Sequence, residues 1–179
     1  MDKQLRPISA ALALLAALAG CGEQAPAGKQ AASPKSAGAG VKELAAAVVT
    51  APAPASAAGV AAVRSAAKHG DSVIVSGRIK DFVEGAAVFT IVDGSLKDCK
   101  ERGDGCSTPW DYCCEPTDTL TSNTATIKIV GSDSAVIRAG VKGVGGIDHL
   151  VDVAAEGIAR FDPQGNLTVE ARRVYVARP

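Results

Sequence analysis

From Ser72 to Lys80 the chain alternates, with Val73, Val75, Gly77 and Ile79 on one side and Ser72, Ser76, Arg78 and Lys80 on the other. A period of two sends one set to a buried face and the other to water, which defines a half-buried β-strand. The pattern recurs along the chain. Residues 86–93 are apolar on both faces, place Phe89 inward by alternation and close at Asp93-Gly94. Ala125, Ile127 and Ile129 alternate with Thr124, Thr126 and Lys128. After a turn over 131–134, Ala135, Ile137, Ala139 and Val141 extend or bend that strand. Val151, Val153, Ala155 and Ala159 alternate with Asp152, Glu156 and Arg160. The turn Asp162-Pro163-Gln164-Gly165-Asn166 leads into Leu167, Val169 and Ala171, whereas Val174 and Val176 fall on the opposite phase. A β-bulge near Arg172-Arg173 is expected to restore the register. Aromatic residues make up only 3% of the chain, so the core must be built from Val, Ile and Ala, and β-branched residues suit strands. The expectation is an all-β domain over residues 70–179, of single-domain size.

Ahead of it the composition changes twice. Residues 23–57 are mostly Ala, Pro, Gly, Ser, Lys and Gln, with Val41, Leu44, Val48 and Val49 almost the sole large apolar side chains. Such a stretch buries too little surface to offset its ordering entropy, so residues 21–57 read as a flexible tether, with a transient helix at 41–49. As a coil of about 35 residues it would span roughly 30 Å. Residues 58–69 read as a short helix, capped by Ser56 and closed by His69-Gly70.

The first residues are net positive, and Ile8 to Gly20 is uncharged and apolar. That run is shorter than the ~20 residues a bilayer-spanning helix needs and fits the core of an export signal over residues 1–20. It ends in Leu18-Ala19-Gly20-Cys21, which resembles the lipobox of bacterial lipoproteins. The resemblance implies cleavage before Cys21, acylation of its thiol, palmitate among the attached chains, and anchoring to a membrane of the cell envelope. Two acyl chains suffice for stable anchoring. Gly22 and Glu23, with no Asp after the cysteine, favour the outer membrane by the same resemblance. An ordinary secretory signal is the alternative.

The strand pattern carries a second resemblance. Gly70-Asp71-Ser72-Val73-Ile74-Val75-Ser76-Gly77-Arg78-Ile79 and Phe89-Thr90-Ile91-Val92-Asp93-Gly94 are similar to the first two strands of OB-fold domains of the tRNA-anticodon-binding type. Residues 151–160, the Asp162 turn and Leu167 to Val176 resemble their closing hairpin. This implies a five-stranded Greek-key barrel, with residues 145–150 in place of the usual helix between strands three and four. It does not cover residues 95–123. The domain also resembles bacterial lipoproteins that pair this outline with a Cys-rich insert of the kind seen here as Thr108-Pro109-Trp110-Asp111-Tyr112-Cys113-Cys114, a likeness that implies no activity.

Setting Cys21 aside, four cysteines remain, Cys99, Cys106, Cys113 and Cys114, all in that insert. An even number in an exported chain points to disulfides, and four allow three pairings. A Cys113–Cys114 bridge would close a strained ring through one peptide. Cys99 and Cys106 are therefore each expected to pair with one of Cys113 and Cys114, whose side chains point oppositely if the chain is extended. The rival reading is a metal or redox site. No Cys-x-x-Cys and no His lies in the insert, but four thiolates could bind soft Cu(I). Trp110 and Tyr112 either fill a local core beneath the loop or form a binding patch for a partner.

Residues 70–179 carry 12 Lys plus Arg against 16 Asp plus Glu, a net of −4 and the wrong sign for holding phosphates. Beyond Phe89 no aromatics are spaced along strands two and three for base stacking, and the loops at 81–85 and 162–166 are short. Nucleic acid is thus disfavoured. Arg172-Arg173 is a small basic spot that a solvated strand edge explains. His69 reads as a helix C-cap and His149 as a turn residue, and no catalytic constellation or cofactor motif is evident. The expectation is a non-enzymatic binding or structural module without a cofactor, anchored in the envelope, with a protein or glycan partner. The alternative is a Cys-based metal or redox lipoprotein.

Overall fold

The computed structural model describes residues 34–177. Five strands, β3 (Ser72–Val83), β4 (Val88–Val92), β5 (Thr124–Ile129), β6 (Asp152–Phe161) and β7 (Leu167–Val176), close into a barrel. β3 pairs antiparallel with β4 and β6, β4 with β5, and β6 with β7; the parallel pair of β5 with β7 completes the ring. Closure removes the unpaired edges that an open sheet would present. Two short strands are added outside it: β1 (Val48–Thr50) runs parallel to β7 and β2 (Ala58–Gly59) parallel to β3. Among the described residues no helix is long and apolar enough to cross a membrane.

Alternation fills the interior as expected. Val75, Ile79, Phe89, Ile91, Ile127, Ile129, Val169 and Val174 are buried, while Thr90, Thr126, Lys128 and Thr168 face outward. The bulge falls where the phase change requires it. Glu156 pairs with Arg173 and Gly157 with Ala171, so Arg172 is the extra residue of β7, and Arg172 and Arg173 are both exposed before Val174 turns back inward. Residues 135–141 form no strand. One isolated bridge joins Val130 and Val136, and hydrogen bonds from Ile137 to Ile129 and from Ala87 to Ile137 fold the segment over the barrel mouth, burying Ile137, Ala139 and Val141. The connection to β6 holds a single three-residue 3₁₀ turn, Val144–Gly146, where related barrels place a helix.

The N-terminal expectation is corrected. Residues 34–50 are not a coil tether: α1 (Pro34–Ala47) packs beside that connection and β1 hydrogen-bonds to β7. Leu44 is buried in the barrel core, and Val48 packs against it. Glu43 accepts a hydrogen bond from the Ser132 amide at 3.0 Å. The few large apolar side chains of this stretch are thus the ones that dock. Residues 1–33, including the signal and Cys21, lie outside the described residues.

The short helix is also narrower than expected. α2 spans Val60–Ala66, and Ala58–Gly59 is the strand β2. Ser56 does not cap it; Asp93, at the end of β4, accepts the Ala61 amide at 2.9 Å and supplies the missing acceptor from a distant part of the chain. Burial would push the Asp93 carboxyl up, but the amides of Ala61, Ser95 and Val60 outweigh it and hold the group below its usual range. His69 is not a helix cap either. α2 ends before it, and its Nδ1 accepts the Phe161 amide at 3.2 Å.

Candidate functional site

The long β4–β5 connection forms a folded insert. Within it α3 (Cys99–Arg102) is capped by Asp98, whose Oδ1 accepts the Glu101 amide at 2.8 Å, and is ended by Gly103 in the left-handed region at φ 73°. α4 (Thr117–Ser122) then leads into β5. The Cys99 amide donates to Asp111 O and the Lys100 amide to Pro109 O, both at 2.9 Å, which ties the two legs of the insert together. Arg78 of β3 reaches up to Asp98 and Glu101, each at 2.8 Å, and to Asp152 at 3.4 Å. The Arg78 guanidinium thus ties the insert to the barrel wall, and Lys80 of the same strand adds a second, longer contact to Asp111 at 3.4 Å.

That frame gathers the cysteines. Cys99 and Cys113 have sulfurs 3.3 Å apart, Cys106 and Cys113 3.4 Å, and Cys113 and Cys114 3.8 Å. No pair is at bonding distance, and the expected sharing of Cys113 and Cys114 between two bridges is not what the sulfurs show: both Cys99 and Cys106 approach Cys113. The opposed orientation of Cys113 and Cys114 is corrected too. They occupy a turn closed by the Glu115 amide on Tyr112 O at 3.0 Å, which brings their side chains together. Hydrogen bonding with Cys99 and Cys106 pushes the Cys113 thiol up to about 11, and Asp104 pushes that of Cys114 up to about 12. Cys113 pulls the Cys106 thiol down, but Cys99 and burial together raise it above its ordinary value.

Trp110 and Tyr112 part company. Tyr112 is fully buried beneath the insert, whereas Trp110 is half-buried and stacks on His149 with ring centroids 4.4 Å apart. His149 meets Phe82 edge-on at 4.9 Å, and its Nδ1 donates to the Lys80 carbonyl at 2.6 Å. A carbonyl only accepts, so the proton sits on Nδ1. His149 is a turn residue as expected, but it also pins the insert's tryptophan to β3.

The Tyr112 hydroxyl is buried without a hydrogen-bond partner among the described residues. Burial pushes its phenol up to about 12, against the pull of Arg78 and with the help of the Asp98, Glu101 and Asp152 carboxylates. An acid held neutral in the folded chain ionises first in the unfolded one, so stability falls as pH rises from about 10 toward that value. Tyr112→Phe should abolish this alkaline loss and, at neutral pH, raise stability by about 1 kcal/mol by removing an unmet polar group. Urea titrations at pH 7 and pH 11 measure both effects. A variant less stable than the parent at pH 7 would show that the hydroxyl has a partner.

A second site lies on the barrel's outer wall. Asp81, Thr90, Thr126, Thr168 and Arg160 are paired in register, one from each strand, and make a continuous polar row around it. Thr90, Thr126 and Thr168 floor a groove of about 460 Å³. Leu120 and Thr121 of α4 line it, as do the Asp162–Asn166 turn and Lys80 with Asp81. Lys80 pairs with Asp81, and Asp162 accepts from the amides of Gln164 and Asn166, so each charged group there already has a polar partner. Sequence alternation marked these threonines as outward-facing; that they share one cross-strand row follows only from the register.

The strand order and the closing parallel pair define an OB-type barrel. No family model matches the chain, and no curated protein matches it. Among solved structures it is similar to a protein described as an aspartyl-tRNA synthetase from Leishmania major Friedlin, at 13% identity and a TM-score of 0.42. The likeness covers 77% of this chain but only 25% of that one, so the chain spans about a quarter of its length. The fold stands on its own strand order.

Proposed function

We propose that the chain is a lipid-anchored envelope protein whose OB-type barrel is a non-enzymatic binding module for a neutral glycan. The lipobox Leu18-Ala19-Gly20-Cys21 supports export and anchoring through Cys21. The observation that carries the binding part is the cross-strand row of Thr90, Thr126 and Thr168 flooring the groove between α4 and the β6–β7 turn. Hydroxyls that donate and accept, flanked by charged groups that already have polar partners, suit a ligand rich in hydroxyls and poor in charge. A polyanion would meet a net-negative domain.

The experiment uses Cys21→Ala in the full chain, which should move it from the membrane to the soluble fraction. That soluble chain is titrated calorimetrically with uncharged oligomers of N-acetylglucosamine. Binding is expected, and Thr126→Val combined with Thr168→Val should weaken it at least about 10-fold, on the order of two lost hydrogen bonds. Binding that ignores both substitutions, or none at all, would refute the groove.

A further inference from the structure

We propose that Cys99, Cys106 and Cys113 are the ligands of a trigonal thiolate site for Cu(I). The site lies in the insert and does not depend on the glycan reading. The three sulfurs lie within 4.8 Å of one another. A metal–sulfur bond of about 2.3 Å sets the edges of a trigonal site at about 4 Å, so a small opening of the 3.3 and 3.4 Å edges admits an ion.

Cys113 stands between two thiols and can form a disulfide with only one of them. Cys114 does not rescue the other, since its sulfur lies 3.8 Å from that of Cys113 and outside the group that Cys99, Cys106 and Cys113 form. A single ion satisfies all three sulfurs at once. The choice of ion follows from donor type and number. Structural zinc is almost always four-coordinate, whereas this cluster offers three sulfurs and no imidazole or carboxylate. Soft thiolates select Cu(I), zinc or iron–sulfur clusters, and of these a single ion held by three sulfurs fits Cu(I).

The frame is pre-formed and open. Cys99 is buried on α3, which Asp98 caps and Arg78 fastens, and the Cys99 amide is bonded across the insert to Asp111. Cys106 is half-buried and Cys113 exposed, so an ion has a path from solvent. Binding is a substitution without redox change. Three S–H bonds break, three Cu–S bonds form, the protons go to water and copper stays Cu(I).

The test uses the full chain with Cys21→Ala, reduced and free of oxygen, titrated with Cu(I) against a chromophoric Cu(I) chelator. One ion per chain is expected, with a near-ultraviolet thiolate-to-copper band and release of protons. Cys113→Ser should lose more than the 10–100-fold typical of an outer-shell partner, whereas Cys114→Ser should bind like the parent. Cys113 is exposed, so circular dichroism should show the Cys113→Ser barrel folded as before. Equal losses in the two variants, zinc displacing the copper, or no stoichiometric binding would overturn the assignment. So would a chain isolated without reductant that carries the mass of two disulfides and no copper.

Discussion

Gly157→Ala should cost about 3 kcal/mol or more of folding stability, and Gly157→Val should leave no folded barrel. A Cβ at this position would lie 2.2 Å from the Glu170 carbonyl oxygen and 2.7 Å from the Ala171 Cα. Both are backbone atoms of the neighbouring strand, so no rotamer change relieves the clash. β6 and β7 would have to part at the bulge, where Gly157 pairs with Ala171 and Ile158 with Glu170. The strand pair that would open is the hairpin closing the barrel, so the loss reaches the whole core. Gly94→Ala is the control, because a Cβ there meets nothing within 4 Å and the backbone is not left-handed. It should stay within about 0.5 kcal/mol of the parent. Urea denaturation of both variants gives the comparison, and equal midpoints would mean that the two strands do not meet in this register.

The same bulge shows why the barrel was legible in the sequence. Val174 and Val176 sit out of phase with Leu167, Val169 and Ala171, and one extra residue, Arg172, reconciles them. Side-chain alternation is a local signal, so Ile79, Phe89, Ile127 and Ile129 could be placed inward without knowing their partners. Contacts between distant segments leave no such signal. β1 is held to β7 by backbone hydrogen bonds, which composition does not encode, and Leu44 alone hints that an Ala-rich stretch has somewhere to dock. Asp93 reads as a turn residue, yet it caps α2 across 32 residues. The cysteines were visible as four thiols in one loop, but their order in space was not. An extended chain would have separated Cys113 from Cys114, and the turn at Tyr112–Glu115 brings them together beside Cys99 and Cys106.

Arg78→Met should remove about 3–5 kcal/mol from the free energy that holds the insert on the barrel. Arg78 is 18% exposed and Asp98 1%, so the pair sits where water cannot compensate for the loss of either partner. Burial opposes the guanidinium charge, yet bonds to Glu101 and Asp98 keep it more firmly protonated than usual, so ordinary alkaline conditions do not break the pair. Without Arg78 the Asp98 carboxylate is buried and unpaired while still capping α3. The cheapest escape is for the insert to swing outward and carry Asp98 into water, since β3 itself is held by β4 and β6. The cost should therefore appear locally. Hydrogen exchange at the Cys99 and Glu101 amides should accelerate by roughly 100-fold or more, at one decade per 1.4 kcal/mol, while the strand amides of β3 and β6 keep their protection. Cys99, now 2% exposed, should become open to alkylation. Adding Asp98→Asn to Arg78→Met removes the stranded charge and should recover part of the loss, giving a coupling energy between the two positions. If the single variant exchanges like the parent, the insert is fastened by something other than this ion pair. If strand amides accelerate together with the insert, the insert and barrel unfold as one unit, and the insert is a structural part of the core and not a separately anchored loop.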